Sequence, residues 1–133
     1  EVASKREHKN WIVNIHRQAN SDHLLTSCSV VGDVKLWDHR NMSKSLKTLQ
    51  AHKEGEPCTA FAVHDYSPVF ASGSHKQFIR IFDTQNSTLS RIHFHDGFLG
   101  QRIGPVSCLA FHPYKMCLAA GATDSIISIY TER

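Results

Sequence analysis

The sequence lacks any uncharged apolar run of about 18 residues, the length that a membrane-spanning helix requires. Residues 1–7 are charged and contain no apolar stretch of the kind found in a secretory signal peptide. We therefore expect no direct membrane insertion and a cytoplasmic location. The chain does not begin with methionine, which we interpret as a sign that it is a fragment, with the rest of a parent chain as a partner.

Neither sign of charge predominates, because the chain has 15 basic and 12 acidic residues and a net charge of only +3. The basic residues are spread along the chain instead of clustering on one face, as nucleic-acid binding would require. The composition, with 41% hydrophobic and 20% charged residues, is that of an ordinary globular protein. We therefore expect no nucleic-acid partner.

Several chemical signatures are missing. The four cysteines, Cys28, Cys58, Cys108 and Cys117, show no two-residue spacing of a zinc or redox motif, so we expect reduced thiols. The glycines form neither a dinucleotide fingerprint nor a P-loop, and no nucleophile elbow is present. These absences predict a protein that is not an enzyme and needs no cofactor.

Histidine, in contrast, is abundant, with ten residues. His93 and His95 could face one side of a strand and ligate zinc, but a site needs three or four convergent ligands. Three other histidines, His16, His64 and His112, end inner strands, where an imidazole can bond loop backbone. A histidine-based metalloenzyme stays open as an alternative of a different class.

The informative feature is an internal repeat. Residues 13–16, 61–64 and 109–112 are similar segments whose final histidines lie a constant 48 residues apart. After each segment come a stretch of small residues and an alternating run that ends in an aromatic residue, namely Trp37, Phe82 and Tyr130. Every segment is short and rich in β-branched residues, and no sustained helical period is present. The chain is predicted to be all-β, with four strands in each unit, as in a propeller blade.

Residues 72–83 resemble the second and third strands of a repeat in the WD-repeat family, and residues 33–38 resemble the same third strand. The resemblance implies a β-propeller that acts through protein–protein contacts. His52 stands where the family's Gly-His pair opens a repeat, and Asp124 matches the family's tight-turn aspartate six positions before the aromatic. Val31 and Lys76 occupy that position in the other two repeats, so we expect the family's buried network of His, Ser, Asp and Trp to be incomplete there.

Three blades are predicted, at about residues 11–50, 58–94 and 106–133, with residues 1–10 as a linker from a preceding blade. A propeller closes with four to eight blades, so three blades leave two open flanks. The last predicted blade also has no room for an outer strand. We therefore expect the final three blades of a larger ring, with seven as the expected number.

Residues 95–113, followed by 118–121 and 127–130, are similar to the C-terminal end of the Raptor family. That resemblance implies a non-catalytic scaffold of the target-of-rapamycin kinase complex, with the complex and its substrates or regulators as partners. It also implies a role in substrate recruitment and in nutrient-responsive growth signalling, with recruitment to the lysosomal or vacuolar surface through partners. A WD propeller of another scaffold, such as a ubiquitin-ligase substrate receptor, is the alternative.

Two groups of side chains are candidates for specific roles. The equivalent positions of Trp37, Phe82 and Tyr130 in the repeats predict packing between blades, although three aromatics could also form a binding cage. The loop from residue 96 to 105 carries Phe98, Leu99 and Arg102, which the repeat pattern does not explain. We predict that these three residues dock on a partner or on a neighbouring domain of the parent chain; the alternative is a loop folded over its own blade.

Overall fold

Short segments rich in β-branched and aromatic residues form eleven β-strands in the part of the chain that the structure describes. This structure is a computed structural model, and it describes residues 4–21, 24–96 and 100–132. No helix that could cross a membrane is present among those residues. The strands are β1 Ile12–Arg17, β2 Leu24–Ser29, β3 Asp33–Asp38, β4 Lys47–Gln50, β5 Cys58–Val63, β6 Val69–Ser74, β7 Phe78–Asp83, β8 Thr88–Ile92, β9 Val106–Phe111, β10 Cys117–Ala122 and β11 Ile127–Thr131.

The strands form three antiparallel sheets in which neighbours in the chain are neighbours in space. Sheet 1 contains β1 to β4, sheet 2 contains β5 to β8, and sheet 3 contains β9 to β11 in the described residues. The turns between the second and third strands share one geometry. Gly32, Gln77 and Ser125, each five residues before the aromatic position, all have a positive φ. The all-β propeller architecture is confirmed, whereas the predicted limits of the blades and linker stay predictions.

One hydrophobic cluster joins sheets 1 and 2. Cys28, Val34 and Leu49 of sheet 1 pack with three phenylalanines of sheet 2, Phe61, Phe70 and Phe82. The ring centroids of Phe70 and Phe82 lie 5.4 Å apart, and both side chains are fully buried. Because successive residues of a strand face opposite sides, these aromatics all point to the same side of sheet 2, towards sheet 1.

The opposite side of sheet 2 carries small and aliphatic residues and packs against sheet 3. Ala60, Ala71 and Ile79 form a second cluster with Val106 and Leu118. Close approach is needed here, since a Cβ atom added at Gly73 would lie 2.5 Å from Cγ1 of Val106. Sheet 2 therefore has one face with large aromatic residues and one face with small and aliphatic residues.

Sheet 3 repeats the small-residue face of sheet 2 but leaves it exposed. Strand pairing places Ile127 and Ile129 of sheet 3 where Ile79 and Ile81 lie in sheet 2. Ile127 is 78% exposed, whereas Ile79 is completely buried. The rest of this far face consists of Cys108, Ala110, Ala119 and Gly121.

Candidate interaction surface

A buried hydrogen-bond network holds sheet 1 to the segment that precedes it. Nε2 of His8 lies 2.6 Å from the hydroxyl of Ser27, and the indole N–H of Trp37 donates to that same hydroxyl at 2.8 Å. Nδ1 of His8 lies 2.7 Å from a carboxylate oxygen of Asp33. The His8 side chain is only 5% exposed. Four side chains from three segments are thus connected away from water.

The expectation that this network would be incomplete in the first repeat is wrong. Val31 does stand at the family's aspartate position, but Asp33, the first residue of β3, supplies the carboxylate instead. Burial opposes ionisation of Asp33, but hydrogen bonds from Ser29 and His8 outweigh it and lower the pKa of the carboxyl group. Asp33 is therefore held as a carboxylate that orients the imidazole.

Sheet 2 contains a reduced form of the network. His52 is buried, its Nε2 lies 2.9 Å from the hydroxyl of Ser72, and its Nδ1 lies 3.0 Å from the carbonyl of Glu56. A carbonyl only accepts, so Nδ1 carries the proton and donates, and Nε2 accepts from Ser72. Phe82 has no N–H to offer at the Trp37 position, and Lys76 replaces the turn aspartate. The network is incomplete in this repeat, as the sequence indicated.

Burial of His52 makes stability depend on pH. Desolvation lowers the pKa of His52 below its ordinary value of 6.5; nearby Glu56 opposes this and Arg80 adds to it. Because the unfolded chain takes up the proton first, the free energy of unfolding should decrease as pH falls below about 6.5. In His52→Gln, where an amide replaces the imidazole, urea midpoints should fall less over this pH range. The matched control is His75→Gln, which removes an exposed imidazole. Equal pH slopes in His52→Gln and wild type would contradict the assignment.

In sheet 3, Asp124 lies at the predicted turn position, and its carboxylate binds the backbone of that turn. Its carboxylate accepts from the backbone N–H of Ile126 at 3.1 Å. A Cβ atom added at Gly104 would lie 2.5 Å from this carboxylate, so a larger residue there would require the exposed Asp124 side chain to move. His8 stands four residues before β1, and the residue four positions before β9 is Arg102, so this repeat has no imidazole at that place.

The three aromatic positions all face the preceding part of the chain. Trp37 is 5% exposed under the segment that holds His8, and Phe82 is buried between sheets 1 and 2. Tyr130 is half-buried against the cluster between sheets 2 and 3. The guanidinium of Arg80 lies 4.8 Å from the Phe82 ring centroid and donates to the carbonyl of Ala51 at 2.9 Å. Arg80 thus connects sheet 2 to the end of sheet 1.

Two of the three repeat histidines, His16 and His64, connect adjacent sheets. Nδ1 of His64 accepts from the N–H groups of Tyr66 and Ser67, both at 3.1 Å, so its Nε2 carries the proton and donates to the carbonyl of Lys115 at 3.1 Å. Nε2 of His16 lies 2.9 Å from the carboxylate of Asp65. Among the described residues, no three side chains of His, Cys, Asp or Glu converge as metal ligands.

The connection between β8 and β9 holds the predicted docking residues. Phe98 and Leu99 lie outside the described residues. The backbone of Phe94 forms a β-bridge with Arg102, and the exposed Arg102 donates to the carbonyl of Lys76 at 3.2 Å. The Arg102 side chain thus contacts the turn between β6 and β7 of sheet 2, although Arg102 and Lys76 are 26 residues apart in the sequence.

This arrangement creates a groove of about 690 Å³ that the sequence did not indicate. Its walls are the β4–β5 loop, the β6–β7 turn, the end of β8 and residues 93, 102 and 105 of the β8–β9 connection. Charged and titratable side chains dominate the lining; they are Glu56, His75, Lys76, Arg91, His93 and Arg102. The signal that could have pointed to it is Lys76, which stands where the repeat pattern calls for an aspartate.

Comparison with known proteins agrees with the geometry. Residues 43–83 and 93–131 match the family described as WD domain, G-beta repeat. The first stretch contains β4 to β7 and the second contains β9 to β11.

The relatives are much longer than this chain. It is 45% identical over 130 residues to the protein raptor homolog of Dictyostelium discoideum, covering 97% of the chain and 8% of that protein. It is 38% identical over 128 residues to the target of rapamycin complex 1 subunit mip1 of Schizosaccharomyces pombe, covering 95% and 10% respectively. The crystal structure of Chaetomium thermophilum Raptor matches with a TM-score of 0.82 at 32% identity, over 98% of the chain and 12% of that structure. The chain thus spans about a tenth of the length of these proteins. Because the two matched stretches cover more than half of its residues, the chain belongs to the WD-repeat family, and it resembles Raptor proteins over nearly its whole length.

Proposed function

We propose that the chain is part of the propeller of a Raptor-like scaffold, and that it works as a non-catalytic interaction module of target of rapamycin complex 1. The observation that carries this proposal is the 45% identity to a raptor homolog over 97% of the chain. A further relative is itself named as a subunit of that complex. Substrate recruitment and nutrient-responsive growth signalling would follow from membership of the complex.

The architecture supports a role in presentation instead of catalysis. The sheets are joined by buried clusters and by hydrogen bonds, such as that from Asn14 to the carbonyl of Phe61 at 2.6 Å. A body of this kind holds its connecting loops in fixed positions, where loops carry much of recognition. We propose a cytoplasmic location, with recruitment to a lysosomal or vacuolar surface through protein partners.

The far face of sheet 3 supports the proposal that more of the ring packs against this chain. Its exposed residues match those that sheet 2 buries against sheet 3. An apolar face of this kind is covered by a partner in most proteins. In a closed ring, the next blade would cover it.

Affinity purification of the full-length protein that carries this chain, followed by mass spectrometry, tests the proposed function. We expect a large phosphatidylinositol-kinase-like protein to be recovered with the wild type. Recovery should be retained in the exposed control Trp11→Ala and reduced in Trp37→Ala, which removes a buried residue of the first sheet. Consistent absence of such a kinase would overturn the proposal, and recovery of ubiquitin-ligase subunits in its place would support the alternative scaffold.

A further inference from the structure

The groove beside the β6–β7 turn, hereafter the basic groove, has a larger net positive charge than the remaining residues of the chain taken together. Lys76, Arg91 and Arg102 line it together with one carboxylate, that of Glu56. With His75 and His93 neutral, the lining carries an excess of two positive charges. The whole chain has a net charge of only +3, so this local excess is a property of the groove and not of the composition.

Contacts hold the two arginines in place before any ligand arrives. Nη2 of Arg102 donates to the carbonyl of Lys76 at 3.2 Å, which fixes its guanidinium over the turn. The guanidinium of Arg91 lies 4.4 Å from the ring centroid of Phe78, and its Nη2 lies 3.6 Å from Oε1 of Glu56. Stacking on an aromatic ring and a nearby carboxylate restrict the Arg91 side chain. Positioned donors lose less entropy on binding than free ones.

The turn itself differs from its counterpart in a way that favours an anion. Lys76 occupies the position that Asp124 occupies in the third repeat, so the charge at this place in the fold is reversed. The Lys76 side chain is exposed and lines the groove, while the Lys76 backbone contributes the carbonyl that binds Arg102. One residue therefore supplies a cation and orients a second cation.

We propose that the basic groove binds a phosphorylated serine or threonine side chain on a segment of a protein partner. A phosphate carries about −1.5 to −2 charges and three acceptor oxygens at neutral pH, which suits the excess of two positive charges. Arginine matches phosphate with paired N–H donors, and lysine adds a point charge. This proposal does not depend on membership of a particular complex.

Nucleic acid fits the basic groove less well. Binding of single strands uses exposed aromatic rings on which bases stack, but Phe78, the aromatic residue lining the groove, is only 2% exposed and is covered by Arg91. Duplex binding uses many phosphate contacts along an extended basic face, whereas this groove offers three cations. The groove therefore suits one phosphate group in a confined place.

The test uses the full-length protein that carries this chain, with fluorescein-labelled degenerate peptide pools as probes. One pool has phosphoserine at its central position, and matched pools have serine or glutamate there. By fluorescence anisotropy, we expect the phosphoserine pool to bind about tenfold more tightly than the serine pool, because phosphate adds charged hydrogen bonds to the groove and a tenfold difference corresponds to only about 1.4 kcal/mol. Inorganic phosphate should displace the phosphoserine pool from the wild-type protein.

Variants locate the binding in the basic groove. Lys76→Glu and Arg102→Glu should each weaken binding of the phosphoserine pool about tenfold or more. Lys115→Glu makes the same charge change at an exposed turn on the opposite end of the sheets and should leave binding unchanged. Arg102→Lys, which keeps the charge but loses the paired donors, should give an intermediate loss.

Four outcomes would overturn the proposal. They are equal binding of the phosphoserine and serine pools, equal binding of the glutamate pool, failure of inorganic phosphate to compete, and an equal loss in Lys115→Glu. The first three use the wild-type protein, so they decide the question even if a charge-reversal variant fails to fold.

Discussion

Replacing Trp37 with alanine is expected to lower the free energy of unfolding by about 3–5 kcal/mol, the range for removal of a large buried aromatic side chain. The residue is 5% exposed, and its indole N–H donates to the Ser27 hydroxyl, which also contacts His8. The change therefore leaves a cavity and also removes one partner of a buried network. A shift of the urea midpoint at constant protein concentration measures the loss.

Two further substitutions separate packing from hydrogen bonding at this position. Trp37→Phe keeps an aromatic ring and should cost only about 1 kcal/mol, the net contribution of one hydrogen bond. Sheet 2 has phenylalanine at the equivalent position, Phe82, together with a hydrogen-bonded Ser72–His52 pair. The other tryptophan, Trp11, is 83% exposed, so Trp11→Ala should change stability by less than about 0.5 kcal/mol. Equal midpoints for Trp37→Ala and Trp11→Ala would refute the packing role.

Gly73→Val is expected to destabilise the protein by about 1–3 kcal/mol or more, because it overpacks the contact between sheets 2 and 3. Even a single Cβ atom at Gly73 would lie 2.5 Å from Cγ1 of Val106 and 3.3 Å from Cδ1 of Leu109. Val106 is buried and stiff at χ1, so it cannot rotate away freely. Urea unfolding at constant protein concentration measures the loss.

The double variant Gly73→Val with Val106→Ala tests the cause, since it removes the opposing methyl groups. It should recover part of the lost stability; if the two costs simply add, the clash lies elsewhere. Gly121→Val is the positional control in the 133-residue chain. Gly121 lies on the exposed far face, and its Cβ atom would meet only the cross-strand Cys108 Sγ at 2.6 Å and Ser107 Oγ at 3.9 Å. The smaller cost expected there would show that the effect at Gly73 comes from the opposing sheet.

The architecture could be predicted from the sequence because the same alternation of inward-facing and outward-facing side chains recurs in every blade of a propeller. Side chains on a strand alternate between two faces, so a face of small residues and an aromatic at the third strand recur at fixed spacing. The repeat of His16, His64 and His112 has the same origin. His16 and His64 each contact the next sheet at an equivalent turn.

The errors and omissions concern contacts between distant segments. Asp33 shares a face with Trp37 because they are four residues apart in one strand, so the sequence did contain a signal for the correct carboxylate. His8, however, lies 25 residues from Asp33, and Arg102 lies 26 residues from Lys76. No local period describes pairs at such separations, because the turns and connections between the sheets determine them.

Because the two faces of a sheet carry different residues, the two ends of the row of blades present different surfaces. At one end of the row, the side of sheet 1 that carries Trp37 is covered by the segment containing His8, and at the other end the Ile127 side of sheet 3 is exposed. These two surfaces differ, so a contact between the sheet 1 end of one copy and the sheet 3 end of another joins two unlike patches. Association through them would be heterologous, adding each copy head to tail and leading either to a closed ring or to an open filament.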